Sequence, residues 1–204
     1  VFDQAGKPEQ VLALQEIPIP EPGENEVRVR LLASPINPAD ILFIAGRYRI
    51  QPSFPQVAGL EGAGIVDKCG NGVKLLKGVL VAFRNRNVWA EFVIVPVAKI
   101  TQLPFDFPIE KACQFSLNPV TAYALLSEAN VSGKEWLLLT AGNSAVSKMI
   151  IQMAGLRNLK VISISRSERD FAELKSLGAT ATLTDDIENI SKSVQEITNG
   201  KGVK

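Results

Sequence analysis

The sequence predicts an α/β chain in two parts, a partly open β-barrel over residues 1–110 and a doubly wound parallel sheet over residues 111–204. Three observations carry this expectation. Short apolar stretches bounded by Gly and Pro fill the first part, as strands and turns do. After about residue 108 the apolar period lengthens to that of helices. From Glu135 onward strand-like and helix-like segments alternate, the pattern of βαβ units with right-handed crossovers.

Taken in order, "PIPEPGENE" reads as a rigid, exposed turn region and "EVRVRLLAS" as a strand over 26–33, with Val27 and Val29 on one face. "NPADILFIAGRY" carries one short helix, with Asn37 as N-cap and Pro38 at its first position. Gly59, Glu61, Gly62 and Gly64 in "AGLEGAGIV" serve a tight turn and close strand packing. "AGIVDKCG" and "AEFVIVP" are further strands. In "KLLKGVLVAF" the turn joining Lys77 to the next strand is shorter than expected, as though a few residues were missing. "PIEKACQFSLNPVTAYALLSEANV" is helical in two pieces, broken at Asn118-Pro119. Strands over 135–140, 160–165 and 179–183 then alternate with helices over 145–156, 168–177 and 187–198, the last stopping at Gly200. The chain ends in "GKGVK", where a fourth parallel strand is expected to begin, so the sequence reads as part of a longer protein.

A hydrophobic content of 46% with 21% charged residues in 204 is that of a soluble globular protein. The formal net charge of +1 gives no reason to expect nucleic acid or an anionic membrane surface as partner. No apolar run reaches about 18 residues, so no membrane-spanning helix is expected. Cys69 and Cys113 cannot make a disulfide framework and fit a reducing compartment. That compartment is the cytoplasm or, after presequence removal, the mitochondrial matrix; no signal-like segment follows Val1. The most informative count is zero: the chain has no histidine. Ser-His-Asp and Cys-His catalysis are excluded, as is any zinc site that requires an imidazole. Two cysteines cannot build a four-cysteine zinc site either, and no metal is expected. Acid and base work falls to Tyr, Lys, Asp or Glu, or to a cofactor that makes proton transfer undemanding.

"LLLTAGNSAVSKMIIQMAG", residues 137–155, has the strand, turn and helix opening of a dinucleotide site, but of the G-x-G-x-x-G glycines only Gly142 falls inside the turn. Phosphate binding needs backbone N–H groups aimed at the pyrophosphate and no side chain in the way. Ala141, Gly142, Ser144, Ala145 and Ser147 are small enough, Asn143 tolerates a left-handed backbone, and the Ser144 hydroxyl can donate to a phosphate oxygen. With Val146, the candidate cofactor turn is Gly142, Asn143, Ser144, Ala145 and Val146. Taken alone it is equally a plain strand-to-helix connection. In "ISISRSERD" the tip of the next strand reads Ser165, Arg166 and Ser167, with no acid at the tip itself. An NAD site carries Asp or Glu there, whereas Arg and Ser suit a 2′-phosphate, so a bound cofactor is expected to be NADP(H). The alternative is that Arg166 and Arg169 are solvated charges at a helix start. Tyr48 is the candidate acid of the first part: a phenol can donate to a carbonyl oxygen that gains charge during hydride addition. It is otherwise a tyrosine packed on a loop, and Asn118 and Thr121 otherwise break and cap helices.

"INPADILFIAGRY", "PQVAGLEGAGIV", "NPVTAYALL" and "LLLTAGNSAVSKMIIQMAG", in this order and at these separations, resemble the zinc-independent branch of the medium-chain dehydrogenase/reductase superfamily. Within it the likeness is greatest to trans-2-enoyl thioester reductases and quinone oxidoreductases. Where zinc alcohol dehydrogenases carry a histidine ligand in a G-H-E motif, this chain has Leu60. The resemblance implies a GroES-like domain over 1–110 and an incomplete Rossmann domain over 111–204 of a longer, homodimeric protein. It implies that Tyr48 is the proton donor or carbonyl anchor and that the Asn118–Thr121 segment lies beside the nicotinamide. Asn37, in the first motif, joins Asn118 and Thr121 in the cofactor-binding set. The family's N-S-G-V-G turn here reads Asn143-Ser144-Ala145-Val146-Ser147, and the serine that replaces the last glycine adds only a hydroxymethyl group. The implied activity is NADPH-dependent reduction of the activated C=C bond of a trans-2-enoyl thioester, a small-molecule substrate. The alternatives are an NADPH:quinone oxidoreductase and a cofactor-binding protein with little catalysis.

Overall fold

A computed structural model describes residues 1–74, 77–133, 135–185 and 187–203. Leu75 and Leu76, in the turn read as too short, lie outside the described residues, as does Lys204 of the terminal "GKGVK". The chain divides into two units, Val1–Leu117 and Asn118–Lys204.

In the first unit α1 (Pro8–Val11) is a single helical turn, and the alternation of β1 (Glu26–Ala33) sets up the sheet. Val27 and Val29 are fully buried, while the guanidinium of Arg28 on the other face pairs with Asp67 at 2.6 Å and Glu21 at 3.0 Å. Opposite them, Val95 and Val93 of β4 (Phe92–Pro96) pair antiparallel with Val27 and Val29. The other strands are β2 (Glu61–Cys69), β3 (Leu80–Arg84) and β5 (Ile100–Gln102), and the five run antiparallel in the order β4-β1-β2-β3-β5. Apolar side chains from β1 to β4, among them Val27, Val66, Phe83 and Val93, form the core under this sheet. Helix α2 (Pro38–Ile44) begins at the Asn37 cap with proline in its first turn, as expected, and buries Phe43 and Ile44 against Phe2, Ala58 and Leu60. A further turn, α3 (Ile109–Ala112), puts Ala112 against Ala63 and Ala82 of β2 and β3. That contact holds the segment after residue 110 in the first unit, so the division falls at the Asn118-Pro119 break.

The second unit opens with α4 (Asn118–Glu128) and continues as β6 (Trp136–Leu139), α5 (Ala145–Leu156), β7 (Lys160–Ser165), α6 (Phe171–Ser176), β8 (Ala181–Thr184) and α7 (Ile187–Ile197). The strands are parallel in the order β6-β7-β8. Central β7 is buried from Val161 to Ser165 because both its faces are covered. Val161 packs with Ile150, Ile151 and Ala154 of α5 and Leu174 of α6, and Ile162 packs on the other side with Trp136 and Val194. The predicted α/β class, with an antiparallel half-barrel sheet followed by a parallel one, is the fold observed.

Candidate functional site

Between β6 and α5 the backbone turns under tight constraint. The Gly142 N–H donates to the Ile164 carbonyl at 2.6 Å, and a Cβ at Gly142 would fall on Ser163 Oγ and come within 2.9 Å of that same carbonyl. Only glycine fits there, and the reason is close approach to β7 rather than backbone conformation. The left-handed residue of the turn is Ala141, at φ +48°, and not Asn143 as the sequence suggested. Ser144 caps α5: its Oγ accepts the Ser147 N–H at 3.2 Å and donates to Ser147 Oγ at 3.1 Å. Ser147, which is buried, donates in turn to the Thr140 carbonyl at 3.2 Å. The Ser144 hydroxyl, expected to serve a phosphate, is thus engaged inside the turn. The first-turn N–H groups of α5 have no carbonyl within the helix to reach, which suits an anion.

This turn, the tip of β7 and the residues after β8 enclose a groove of about 650 Å³, lined by Thr140, Ala141, Asn143, Ser144, Ile164, Ser165, Arg166, Asp170, Asp185 and Ile190. It lies at the carboxyl ends of the parallel strands, where open α/β sheets bind ligands. The structure therefore brings Asn143 and Ser144 together with Ser165 and Arg166. Gly142, Ala145 and Val146 do not line it: Gly142 is packed under the turn and Val146 against the core. Arg166 is exposed, and the buried Ser165 donates its hydroxyl to the Ser167 carbonyl at 2.8 Å. Asp170 and Asp185 face the same groove, two carboxylates that sequence reasoning missed: Asp170 closes the quoted "ISISRSERD" but sits five residues past the end of β7, and Asp185 follows β8.

The first unit holds a different constellation. Glu61, grouped with glycines in the sequence reading, lies at the start of β2 with its carboxylate buried to 1% exposure. Its Oε1 accepts Asn37 Nδ2–H at 2.8 Å, and Asp40, also 1% exposed, accepts the Asn37 backbone N–H on Oδ2 at 2.7 Å. Burial pushes the Glu61 carboxyl up to about 7, with the Asp40 charge acting in the same sense and Asn37 and Arg84 opposing it. Burial likewise raises Asp40, and it raises the Cys113 thiol, on which Glu61 and Glu110 also act. The flanking glycines are required by close packing of their own. A Cβ at Gly59, which sits at φ +88°, would come within 2.8 Å of the Trp89 backbone N, and one at Gly62 within 2.8 Å of Leu31 and Val88. The Glu61 carbonyl accepts Ser34 Oγ–H at 2.7 Å, and Ser34 Oγ accepts Trp89 Nε1–H at 3.1 Å. An acid inside an otherwise small and apolar run was the signal in the sequence.

Tyr48 is half-buried against the Phe2–Phe43 cluster, with the Arg49 guanidinium 6.0 Å from its ring centroid. Asn37 and Tyr48 belong to the first unit; Asn118, buried, and Thr121, half-buried, belong to α4 in the second and are not part of the groove lining. Among the described residues no group of three or more Cys, Asp or Glu is placed to hold a metal ion, and no helix is long and apolar enough to cross a membrane.

Residues 23–105 match the family model of the alcohol dehydrogenase GroES-like domain. The chain is 33% identical over 194 residues to a mitochondrial enoyl-[acyl-carrier-protein] reductase of Xenopus tropicalis, an alignment covering 91% of this chain and 55% of that protein. Among solved structures, Escherichia coli quinone oxidoreductase complexed with NADPH is similar over 99% of this chain and 63% of its own, with TM-score 0.88 and 29% identity. The Pseudomonas syringae quinone oxidoreductase is similar over 98% and 62%, with TM-score 0.88 and 30% identity. The chain spans about half the length of the curated relatives it matches.

Proposed function

Because the chain belongs to the zinc-independent medium-chain dehydrogenase/reductase superfamily, we propose that the complete protein is an NADPH-dependent reductase of the activated C=C bond of a trans-2-enoyl thioester. The observation that carries this reading is the groove at the carboxyl ends of β6 and β7, which gathers Asn143 and Ser144 with Ser165 and Arg166. The absence of a Cβ at Gly142 lets the turn close onto β7, and the first-turn N–H groups of α5 suit a pyrophosphate. Arg166 holds the 2′-phosphate by a charge-assisted contact, with Ser165 beside it. Asn37, Asn118 and Thr121 complete the cofactor-binding set. When bound, NADPH supplies a hydride from nicotinamide C4 to the β-carbon of the α,β-unsaturated thioester. Tyr48 donates to the thioester carbonyl oxygen as that oxygen gains negative charge, the resulting enolate takes a proton at its α-carbon from water or by way of Tyr48, and no metal is required. The complete chain acts as a homodimer on this small-molecule substrate. The mitochondrial relatives favour the matrix over the cytoplasm as its location.

A second reading, reduction of a quinone, is favoured by two similar solved structures that are quinone oxidoreductases. There Tyr48 is dispensable, because quinone oxygens are readily protonated by water. NADPH consumption by the complete protein, first with crotonyl-CoA and then with a small quinone, tests both. Turnover of crotonyl-CoA alone supports the enoyl reading, turnover of the quinone alone replaces it, and binding of NADPH without turnover of either removes both.

A further inference from the structure

The buried carboxylates of the first unit have no part in the function proposed above. Asp40 and Glu61 come from different elements, the first turn of α2 and the first residue of β2, and Asn37 joins them through its backbone N–H and its Nδ2. The two remaining oxygens, Asp40 Oδ1 and Glu61 Oε2, have no hydrogen-bond partner among the described residues. Neither carboxylate forms an ion pair among those residues. Ionised together, the pair would hold two desolvated charges and two unmet acceptors. One proton removes a charge and turns one of those acceptors into a donor.

We propose that the Asp40–Glu61 pair carries one proton, on Glu61, in mildly acidic solution and that the two act as positioning residues for Asn37, locking its amide so that one Nδ2 N–H is left for the bound cofactor. The proposal rests on the reading of Asn37 as a cofactor-binding residue. A carboxyl oxygen accepts and an amide nitrogen donates, so the Oε1 contact fixes which end of the Asn37 amide faces inward. Asn37 itself is half-buried, anchored inside at Nδ2 and still reaching the surface of its unit. Burial, the larger influence, and the Asp40 charge from α2 keep Glu61 protonated up to about pH 7 against Asn37, Arg84 from β3 and the Leu117 backbone N–H, which favour its carboxylate. The Leu60 backbone N–H acts likewise on Asp40, and Glu61 in turn raises Cys113 beyond α3. Above that pH a second buried charge develops. The ionised Glu61 attracts the Asn37 N–H more strongly, but the repulsion from Asp40 and the cost of two desolvated charges outweigh that gain, drive the carboxylates apart and loosen the hold on Asn37.

The test uses the complete protein with and without NADPH. In the absence of cofactor, infrared spectroscopy of the wild type should show a buried protonated carboxyl at about pH 6 that titrates near neutrality and is missing in Glu61→Gln. NADPH affinity of the wild type should fall by about tenfold relative to Glu61→Gln between about pH 6 and about pH 8, the equivalent of one hydrogen bond. Glutamine keeps the acceptor for Asn37 and supplies an N–H in place of the acid O–H, so Glu61→Gln should bind NADPH as the wild type does at low pH. Glu61→Ala should bind it weakly at every pH. The two proteins share the titration of the NADPH 2′-phosphate, which cancels in the comparison. Two ionised carboxylates at about pH 6, or parallel pH profiles for wild type and Glu61→Gln, would overturn the proposal. If Asn37→Ala leaves NADPH affinity unchanged while the protonated carboxyl persists, the cofactor role of Asn37 fails and takes the positioning role with it.

Discussion

In the second unit the candidate binding groups sit at the open rim of a parallel sheet, with Arg166 exposed and the turn shaped by Gly142 and two serine hydroxyls. In the first unit two carboxylates are sealed in, with Asp40 and Glu61 at 1% exposure. One unit prepares for a ligand by backbone shape and leaves its charge in water. The other prepares by desolvation, which sets the charge state of the group itself. The two strategies fail in different ways under mutation: a groove loses contacts one at a time, whereas a buried cluster changes its protonation.

The largest effect is expected in the first unit. Tyr48→Phe should slow turnover of an enoyl thioester by about 10²- to 10³-fold with little change in NADPH affinity, since a donor to a developing oxyanion counts in the transition state. Steady-state kinetics on the complete protein checks this, and a near wild-type rate would return Tyr48 to a packing role. Next comes the buried pair. The folded protein keeps on Glu61 a proton that the unfolded chain releases, so stability should decline as pH rises from about 4.5 to about 7 and level off above. The decline attributable to Glu61 amounts to at most about 3 kcal/mol. Denaturant unfolding across that range should show the slope in the wild type and only the weaker, same-signed slope of Asp40 in Glu61→Gln. Equal slopes would mean that Glu61 ionises like an exposed glutamate, and the contrast between the units would collapse.

In the groove, Arg166→Ala should weaken NADPH by about 10- to 150-fold, or about 1.5 to 3 kcal/mol, and leave NADH nearly unchanged. Titration with both cofactors decides it, because equal losses would detach Arg166 from the phosphate. The smallest effect is Ser147→Ala, which removes the donor to the Thr140 carbonyl and should lower stability by about 1 kcal/mol while NADPH binding barely moves. A large loss of binding with intact stability would make the Ser147 hydroxyl a ligand group rather than a stitch in the turn.

The second unit was legible in the sequence because its signals are local. Helix α5 and strand β7 have the predicted limits, Ala145–Leu156 and Lys160–Ser165, set by the Ser144 cap and by an apolar run too short for a buried helix. The glycine at 142 and the groove residues Asn143, Ser144, Ser165 and Arg166 were likewise visible, since a turn after a parallel strand has one place to go. Strand β5 was not predicted: its three residues, Ile100–Gln102, have no period to read and are a strand only because β3 pairs with them. The sheet order β4-β1-β2-β3-β5 joins residues far apart in the chain, and no local pattern encodes it. The same holds for Glu61 and Asp40. Composition and periodicity determined most of the strands, helices and turns, β5 excepted. Only the tertiary structure decided that two acids 21 positions apart meet at Asn37 away from water, because burial and the loss of hydration belong to the packed sheet and helix together.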